Sequence, residues 1–131
     1  MSTEARVRLI MLKDYVQLAP ETPMRRAAAR LAEARAAAAP VVDSSGQLVG
    51  LLSQKDCFRP ALQASYYQEW KGVVADSMTP DPVCLQADDD LITAAEAFMA
   101  HPHRIFPVLE AGQLVGMLRR SDVLSALLDM G

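Results

Sequence analysis

Apolar residues of this chain recur at intervals of three and four in several stretches, which is the spacing of one face of an α-helix. One such stretch, residues 23–36, is rich in alanine, the residue with the highest helix propensity. Thr22 and Pro23 predict where this helix begins, because a hydroxyl N-cap and a proline at the first helical position both suit a helix start. Further helices are predicted to begin at Ser53 and to cover residues 90–101 and about 120–129.

Short apolar runs bounded by turn residues alternate with the helices and predict strands. The predicted strands lie at residues 15–18, 40–42, 48–52, 83–85, 105–109 and 114–118. Turn sequences join two pairs of these runs, at residues 43–46 in the first pair and residues 110–112 in the second. The order strand–helix–strand–strand–helix therefore occurs twice, which predicts an α/β (α+β) fold.

This order occurs twice because the sequence itself is duplicated. Residues 46–50 read Gly-Gln-Leu-Val-Gly, and residues 112–116 repeat them unchanged 66 positions later. Upstream the offset becomes 67 and extends as far as Met11 and Met78. A fixed offset over this length indicates one unit written twice, and two copies predict a pair of pseudo-symmetric halves with a cleft at their seam.

Length and charge exclude several functional classes. The 131 residues are 51% hydrophobic, which is enough for one compact domain or for two halves that share a core. A net charge of −3 argues against nucleic-acid binding. No apolar run approaches the ~18 residues of a membrane-spanning helix, so no membrane insertion is expected. The polar residues 1–8 lack the apolar stretch of a secretion signal, which predicts a cytoplasmic protein.

Neither a metal site nor a catalytic site is predicted. Cys57 and Cys84 lie outside any close-spaced metal or redox motif, and we expect both to be partly buried thiols. His101 and His103 have no evident partner ligands, whereas zinc needs about four. The chain has no nucleophile motif and no glycine-rich phosphate loop with a lysine, so an enzyme is not expected.

Two segments carry a resemblance to a known family. Residues 39–56 and residues 106–122 each combine Pro-Val, a turn, Gly-Gln-Leu-Val-Gly and a final Asp. With the lead-in at residues 76–83, they resemble a tandem pair of cystathionine-β-synthase (CBS) domains, the Bateman module, of the stand-alone prokaryotic type. The resemblance implies two pseudo-symmetric β-α-β-β-α repeats packed sheet to sheet. They are expected to divide the chain into repeat 1 with its lead-in (1–57), a linker helix (58–77) and repeat 2 (78–131).

The resemblance also implies a non-catalytic regulatory module that senses an adenosine-containing ligand in a cleft between the repeats. The candidate ligands are AMP, ADP, ATP and S-adenosylmethionine, and no cofactor is required. The family further implies a homodimer, with the helices 23–36 and 120–129 as the expected faces, and a separate regulated protein. The alternative is a structural or protein-interaction module of the same family that binds no nucleotide.

A first cleft is expected at Ser53 and Asp56, which keep the family's Gly-apolar-apolar-Ser/Thr-x-x-Asp spacing. A carboxylate there would accept hydrogen bonds from two ribose hydroxyls, and the serine hydroxyl would favour phosphate. The facing residues implied by the resemblance are Met78, Thr79, Pro82, Val83, His103, Arg104 and Ile105. Two alternatives stay open: Ser53 and Asp56 also fit a helix cap, and His103 and Arg104 also suit a helix C-terminus.

A second, weaker cleft is expected where the repeat keeps Asp122 but has Arg119 in place of the hydroxyl. The resemblance implies that it is faced by Tyr15, Val16, Ala36, Ala37 and Ala38. Arg119 could bind phosphate directly, fill the pocket or pair with an acid.

The linker segment also concentrates aromatic residues, namely Tyr66, Tyr67 and Trp70. Two interpretations are open. The rings could fill a hydrophobic seam, or they could form an exposed contact patch for a partner or a base.

Overall fold

The chain folds into helices and two three-stranded sheets, so the predicted α/β class is confirmed. The computed structural model describes residues 5–131. In chain order the elements are α1 (Val7–Ile10), α2 (Met24–Ala34), β1 (Ala38–Val42), β2 (Leu48–Ser53), a 3₁₀ turn (Lys55–Cys57), α3 (Phe58–Tyr67), α4 (Val74–Ser77), β3 (Thr79–Pro80), β4 (Leu85–Gln86), α5 (Leu91–Ala100), β5 (Ile105–Glu110), β6 (Gln113–Arg119) and α6 (Arg120–Met130).

The described residues form two compact units. The first unit is Val16–Pro82, and the second consists of the described residues up to Tyr15 together with Val83–Gly131. Each unit has its own three-stranded sheet, in the order β1-β2-β3 in the first and β4-β5-β6 in the second.

In the first unit, β2 is the central strand and pairs antiparallel with both neighbours. Helix α2 turns Met24, Ala27 and Leu31 toward a core that also holds residues of β1 and β2. This is the apolar stripe that the spacing of residues 23–36 predicts. The helix ends at Ala34, because the next residue, Arg35, takes the left-handed conformation (φ 53°).

The predicted start of this helix is wrong by one residue. Pro23 itself is the N-cap, with an extended ψ of 139°. The Thr22 hydroxyl accepts a hydrogen bond from the Ala19 N–H (3.3 Å), so it closes the preceding turn instead of capping the helix. A threonine hydroxyl can form a hydrogen bond with a backbone group before or after it in the chain, and the sequence does not show which of the two bonds forms.

In the second unit, β5 is the central strand, antiparallel to β6 and parallel to β4. Val7 from α1 and Phe106 from β5 are fully buried in its core. Asp90 caps α5 by accepting a hydrogen bond from the Thr93 N–H (2.8 Å).

Two predicted strands differ from the structure. Within residues 15–18 only Leu18 pairs, through an isolated parallel bridge to Val41. The strand predicted over 83–85 is displaced and lies at Leu85–Gln86. Both segments are short, and Leu18 and Leu85 are the residues that each buries in the core of its unit.

The duplication has a direct counterpart in packing. A Cβ atom placed on Gly50 would overlap the sulfur of Met78, and one placed on Gly116 would lie 2.5 Å from the sulfur of Met11. Each glycine therefore leaves the space that a lead-in methionine fills. The methionine comes from the other sequence copy in both cases, so each compact unit mixes the two copies. The division into repeats at 1–57 and 78–131 stays a prediction about the sequence.

Candidate functional site

The Ser53–Asp56 turn connects the end of β2 with α3 in the first unit. The Ser53 N–H donates to Asp56 Oδ2 (2.9 Å), and the Asp56 N–H donates to Ser53 Oγ (3.1 Å). The capping interpretation of these two residues is thus confirmed. Within residues 5–131, Asp56 Oδ1 accepts no hydrogen bond. The carboxylate is therefore held by one oxygen and has the other available for a ligand.

The lead-in to the second repeat lies beside this turn in the same unit. Thr79 on β3 pairs with Leu51 on β2, two residues before Ser53. Thr79 is exposed, whereas Met78 is half-buried against the core of the unit. Met78 and Thr79 thus lie next to β2 in the unit that holds Ser53 and Asp56, and their role in a ligand site stays a prediction. Pro82 ends the unit.

The alanine segment before β1 also lies next to Ser53. Ala38 pairs with Ser53 across the sheet. The carbonyl of Ala37 accepts from the Gln54 N–H (2.9 Å), and that of Ala36 accepts from Gln54 Nε2 (2.8 Å). Half-buried Val16 packs against the core of this unit. The sequence places these four residues in the second cleft, and that assignment stays a prediction.

In the second unit, the Arg119 side chain donates hydrogen bonds to both carboxylate oxygens of Asp122. Arg119 Nη2 lies 2.7 Å from Oδ1, and Oδ2 accepts from Arg119 Nε (3.0 Å) and from its backbone N–H (3.1 Å). This hydrogen bonding raises the pKa of the guanidinium further above its usual range. Of the three possibilities that the sequence leaves for Arg119, pairing with an acid is the one observed. Tyr15 of the same unit is half-buried, and burial raises the pKa of its phenol.

The expected facing residues of the first cleft that follow Pro82 all lie in the second unit. Ile105 is buried and pairs with Arg119, and the Arg104 carbonyl accepts from the Arg120 N–H (2.8 Å). Arg104 is exposed, and Val83 is 40% exposed. Their role at Ser53 and Asp56 stays a prediction.

His103 belongs to a cluster of rings at the end of α5. It stacks on Phe106 with ring centroids 5.2 Å apart, and His101 meets it edge-on at 5.4 Å. Among residues 5–131, the buried Nδ1 atom of His103 has no hydrogen-bond partner. The ring is thus placed by stacking, and that nitrogen does not satisfy a carbonyl at the end of the helix.

A groove of about 650 Å³ borders Asp56 within the first unit. It is lined by Lys55, Asp56, Arg59, Pro60, Gln63, Lys71, Gly72, Asp76 and Ser77. Sequence reasoning missed most of these residues because they lie in the segment 58–77, which has no counterpart in the duplication. The signal that could have found them is the group of Lys55, Arg59 and Lys71 near the Ser-x-x-Asp motif.

The three aromatic residues of the linker differ in burial. Tyr66 and Tyr67 are 85% and 73% exposed, with their ring centroids 5.5 Å apart. Trp70 packs against the core of the first unit. The expectation that the rings fill a hydrophobic seam is therefore wrong for the two tyrosines, which lie on the surface of α3.

Cys57 is buried and Cys84 is half-buried. Burial raises the pKa of each, and the negative charge of Asp56 adds to this effect at Cys57. Among residues 5–131, no group of three or more His, Cys, Asp or Glu side chains is placed to hold a metal ion. No helix in the same range has the length and apolar character needed to cross a membrane.

The fold and the duplicated turn are those of a CBS domain pair. The CBS domain family model matches residues 7–61 and 73–129, which is most of the chain. The chain therefore belongs to the CBS domain family.

Among solved structures, the chain is similar to CBSX2 in complex with AMP. The two share 30% sequence identity with a TM-score of 0.83, over 96% of this chain and 98% of that one. CBSX2 of Arabidopsis thaliana was also solved as a CBS-pair protein, with 29% identity and a TM-score of 0.84.

Curated relatives are longer than this chain. CBSX1, a chloroplastic CBS domain-containing protein of Arabidopsis thaliana, is 28% identical over 90% of this chain and 61% of its own length. The uncharacterized protein MJ1225 of Methanocaldococcus jannaschii is 26% identical over 92% of this chain and 42% of its own length. The chain thus spans about two fifths to three fifths of these relatives.

Proposed function

We propose that this chain is a non-catalytic regulatory module that binds an adenosine-containing ligand at the Ser53–Asp56 turn. The observation that carries the proposal is the state of Asp56, with Oδ2 held by the Ser53 N–H at 2.9 Å and Oδ1 unbonded within residues 5–131. The relative CBSX2, 30% identical, was solved in complex with AMP, which supports an adenosine ligand.

The chemistry of the turn suits a ribose. Two vicinal hydroxyls can donate to one carboxylate, and a hydrogen bond to a charged acceptor contributes about 1.5–3 kcal/mol. The cap already fixes the Asp56 rotamer, so little side-chain entropy is lost when the ligand binds. The Ser53 hydroxyl accepts from the Asp56 N–H and still has a proton to donate to a phosphate oxygen.

The second site, at Asp122, is proposed to be weaker. Both carboxylate oxygens of Asp122 are occupied by Arg119, so a ribose would first have to displace a two-point ion pair. This also favours, at that position, the alternative function of a structural or protein-interaction module without a nucleotide.

Regulation is proposed to work through a homodimer and a separate regulated protein. Leu124 and Leu128 support the homodimer, because they are 59% and 71% exposed on α6 while Val123 of the same helix is buried. Exposed leucines at a spacing of four form an apolar stripe that a second copy could cover.

A thermal-shift experiment tests the ligand. AMP, ADP, ATP and S-adenosylmethionine are each added at millimolar concentration, because a ligand selective for the folded state at a hundred times its Kd stabilises by about 2.7 kcal/mol. We expect at least one of them to raise the melting temperature by several degrees. No shift with any of the four would instead support the module that binds no nucleotide.

Asp56→Ala should weaken binding by about tenfold or more, because it removes the ribose acceptor. The variant also loses a cap worth about 1 kcal/mol, so the matched control is Asp89→Ala. Asp89 Oδ2 accepts from the N–H three residues before it (2.8 Å), as Asp56 does. Isothermal titration should find the affinity of Asp89→Ala unchanged; an equal loss in both variants would contradict the role of Asp56.

A further inference from the structure

The groove beside Asp56 is built from two segments of the first unit. One wall comes from the 3₁₀ turn and the first turns of α3, with Lys55, Arg59 and Gln63. The other comes from the loop before α4 and from α4 itself, with Lys71 and Asp76. Its volume of about 650 Å³ is in the range of small-molecule sites.

Three cations line this groove without a partner of opposite charge. Lys55, Arg59 and Lys71 are exposed and take part in no ion pair among residues 5–131. Each of the two carboxylates in the lining accepts a hydrogen bond from a backbone N–H. Asp56 Oδ2 accepts from the Ser53 N–H, and Asp76 Oδ2 accepts from the Val73 N–H (2.9 Å). With these three cations and two carboxylates the lining keeps a net positive charge, which favours an anion.

Gly72 keeps the loop side of the groove in place. It has a φ of +84°, which favours glycine, and a Cβ there would lie 2.9 Å from Asp76 Oδ2. A larger residue would push against the carboxylate that caps α4. The position of Lys71 relative to α4 therefore depends on this glycine.

We propose that this groove holds the phosphate chain of a nucleotide whose ribose lies at Asp56, and that the first unit therefore prefers adenosine di- or triphosphate over the monophosphate. The inference rests on the function proposed above. Asp56 lines the groove and is also the proposed ribose acceptor, so the phosphates beyond the first extend along Arg59 and Lys71. Guanidinium and ammonium groups are the usual phosphate-binding side chains.

The test compares AMP with ATP by isothermal titration in magnesium-free buffer. The wild-type chain should bind ATP about tenfold tighter than AMP, since each hydrogen bond between charged partners contributes on the order of tenfold in affinity. The double variant Arg59→Gln/Lys71→Gln should bring the two affinities within about twofold of each other. A wild-type ratio near one overturns the proposal.

The matched control is Arg25→Gln/Arg26→Gln. These two arginines are exposed on α2 of the same unit and are not among the residues that line the groove, so the control removes the same charge from outside the lining. It should keep the preference for ATP. If it abolishes the preference as the groove variant does, the effect comes from net charge alone and the groove assignment fails.

Inorganic tripolyphosphate separates this inference from the proposed function. Tripolyphosphate should bind the wild-type chain at millimolar concentration, as seen by chemical-shift changes at Arg59 and Lys71, and should not bind the double variant. If it does so while no adenosine ligand binds, the groove is supported and the ribose site is overturned. If AMP binds in an Asp56-dependent way but neither ATP nor tripolyphosphate uses the groove, the ribose site is supported and the groove assignment is overturned.

Discussion

Asp56 and Asp122 occupy the same place in the duplicated unit and differ in what surrounds their oxygens. Both accept a hydrogen bond from the N–H three residues earlier, at 2.9 Å and 3.1 Å. Asp122 additionally receives two bonds from the Arg119 side chain. The two copies differ here by one residue, Ser53 in the first and Arg119 in the second. Asp56 therefore keeps one oxygen available for a ligand, whereas both oxygens of Asp122 are hydrogen-bonded to Arg119.

Arg119→Ser should therefore create a second ligand site. The change frees Asp122 and restores the Ser-x-x-Asp spacing of the first copy. Titration with the ligand that binds the wild-type chain should show the stoichiometry rising from about one to about two per chain, and the lost surface ion pair should cost at most about 1 kcal/mol of stability. Arg120→Ser, the exposed neighbour, is the control and should keep one site. A stoichiometry of one in both variants would contradict this reading of Arg119.

At the scale of elements, the sequence predicted most of the fold because its signals are local. The apolar spacing in α2 and the run in β6 are set by neighbouring residues, and both elements lie where they were predicted. Thr22 was misassigned because its hydroxyl had two backbone groups within reach. Arg59 and Lys71 meet in the groove only after α3 and α4 fold, so the apolar spacing that predicts the elements does not predict that site.

The packing of lead-in methionines on strand glycines can be tested with alanine substitutions. Gly50→Ala should destabilise the chain by about 1–3 kcal/mol, because the new methyl group overlaps the Met78 side chain. Gly116→Ala should cost more, since its Cβ would also lie 2.8 Å from the backbone carbonyl of Leu12, which moves less easily than a side chain. Chemical denaturation measures both.

A double variant isolates the contact. In Gly50→Ala/Met78→Ala the overlap with the methionine is removed, so the loss of stability should be smaller than the sum of the two single losses. Additive losses would show that Met78 is not what Gly50 accommodates.

At the scale of the whole molecule, the two sequence copies are not the two compact units. The lead-in of each copy belongs to the unit that holds the other copy's sheet: Leu12 exchanges backbone hydrogen bonds with Met117 (2.7 and 3.0 Å), and Thr79 pairs with Leu51. A duplicated chain that shares its segments in this way needs both copies to complete either core. This accounts for the fixed offset reaching back to Met11 and Met78.

The N-terminal segment should accordingly contribute to global stability although it begins the chain. Val7 is fully buried among residues of β5, β6 and α6, whereas Leu9 on the same short helix is 71% exposed. Val7→Ala should lower the free energy of unfolding by about 1.5–3 kcal/mol, the value of burying such a side chain. Leu9→Ala should change it by no more than about 0.5 kcal/mol. Denaturant titration of both variants decides the matter: equal, small effects would mean that the segment is not part of the second core, while a selective loss at Val7 would place it there.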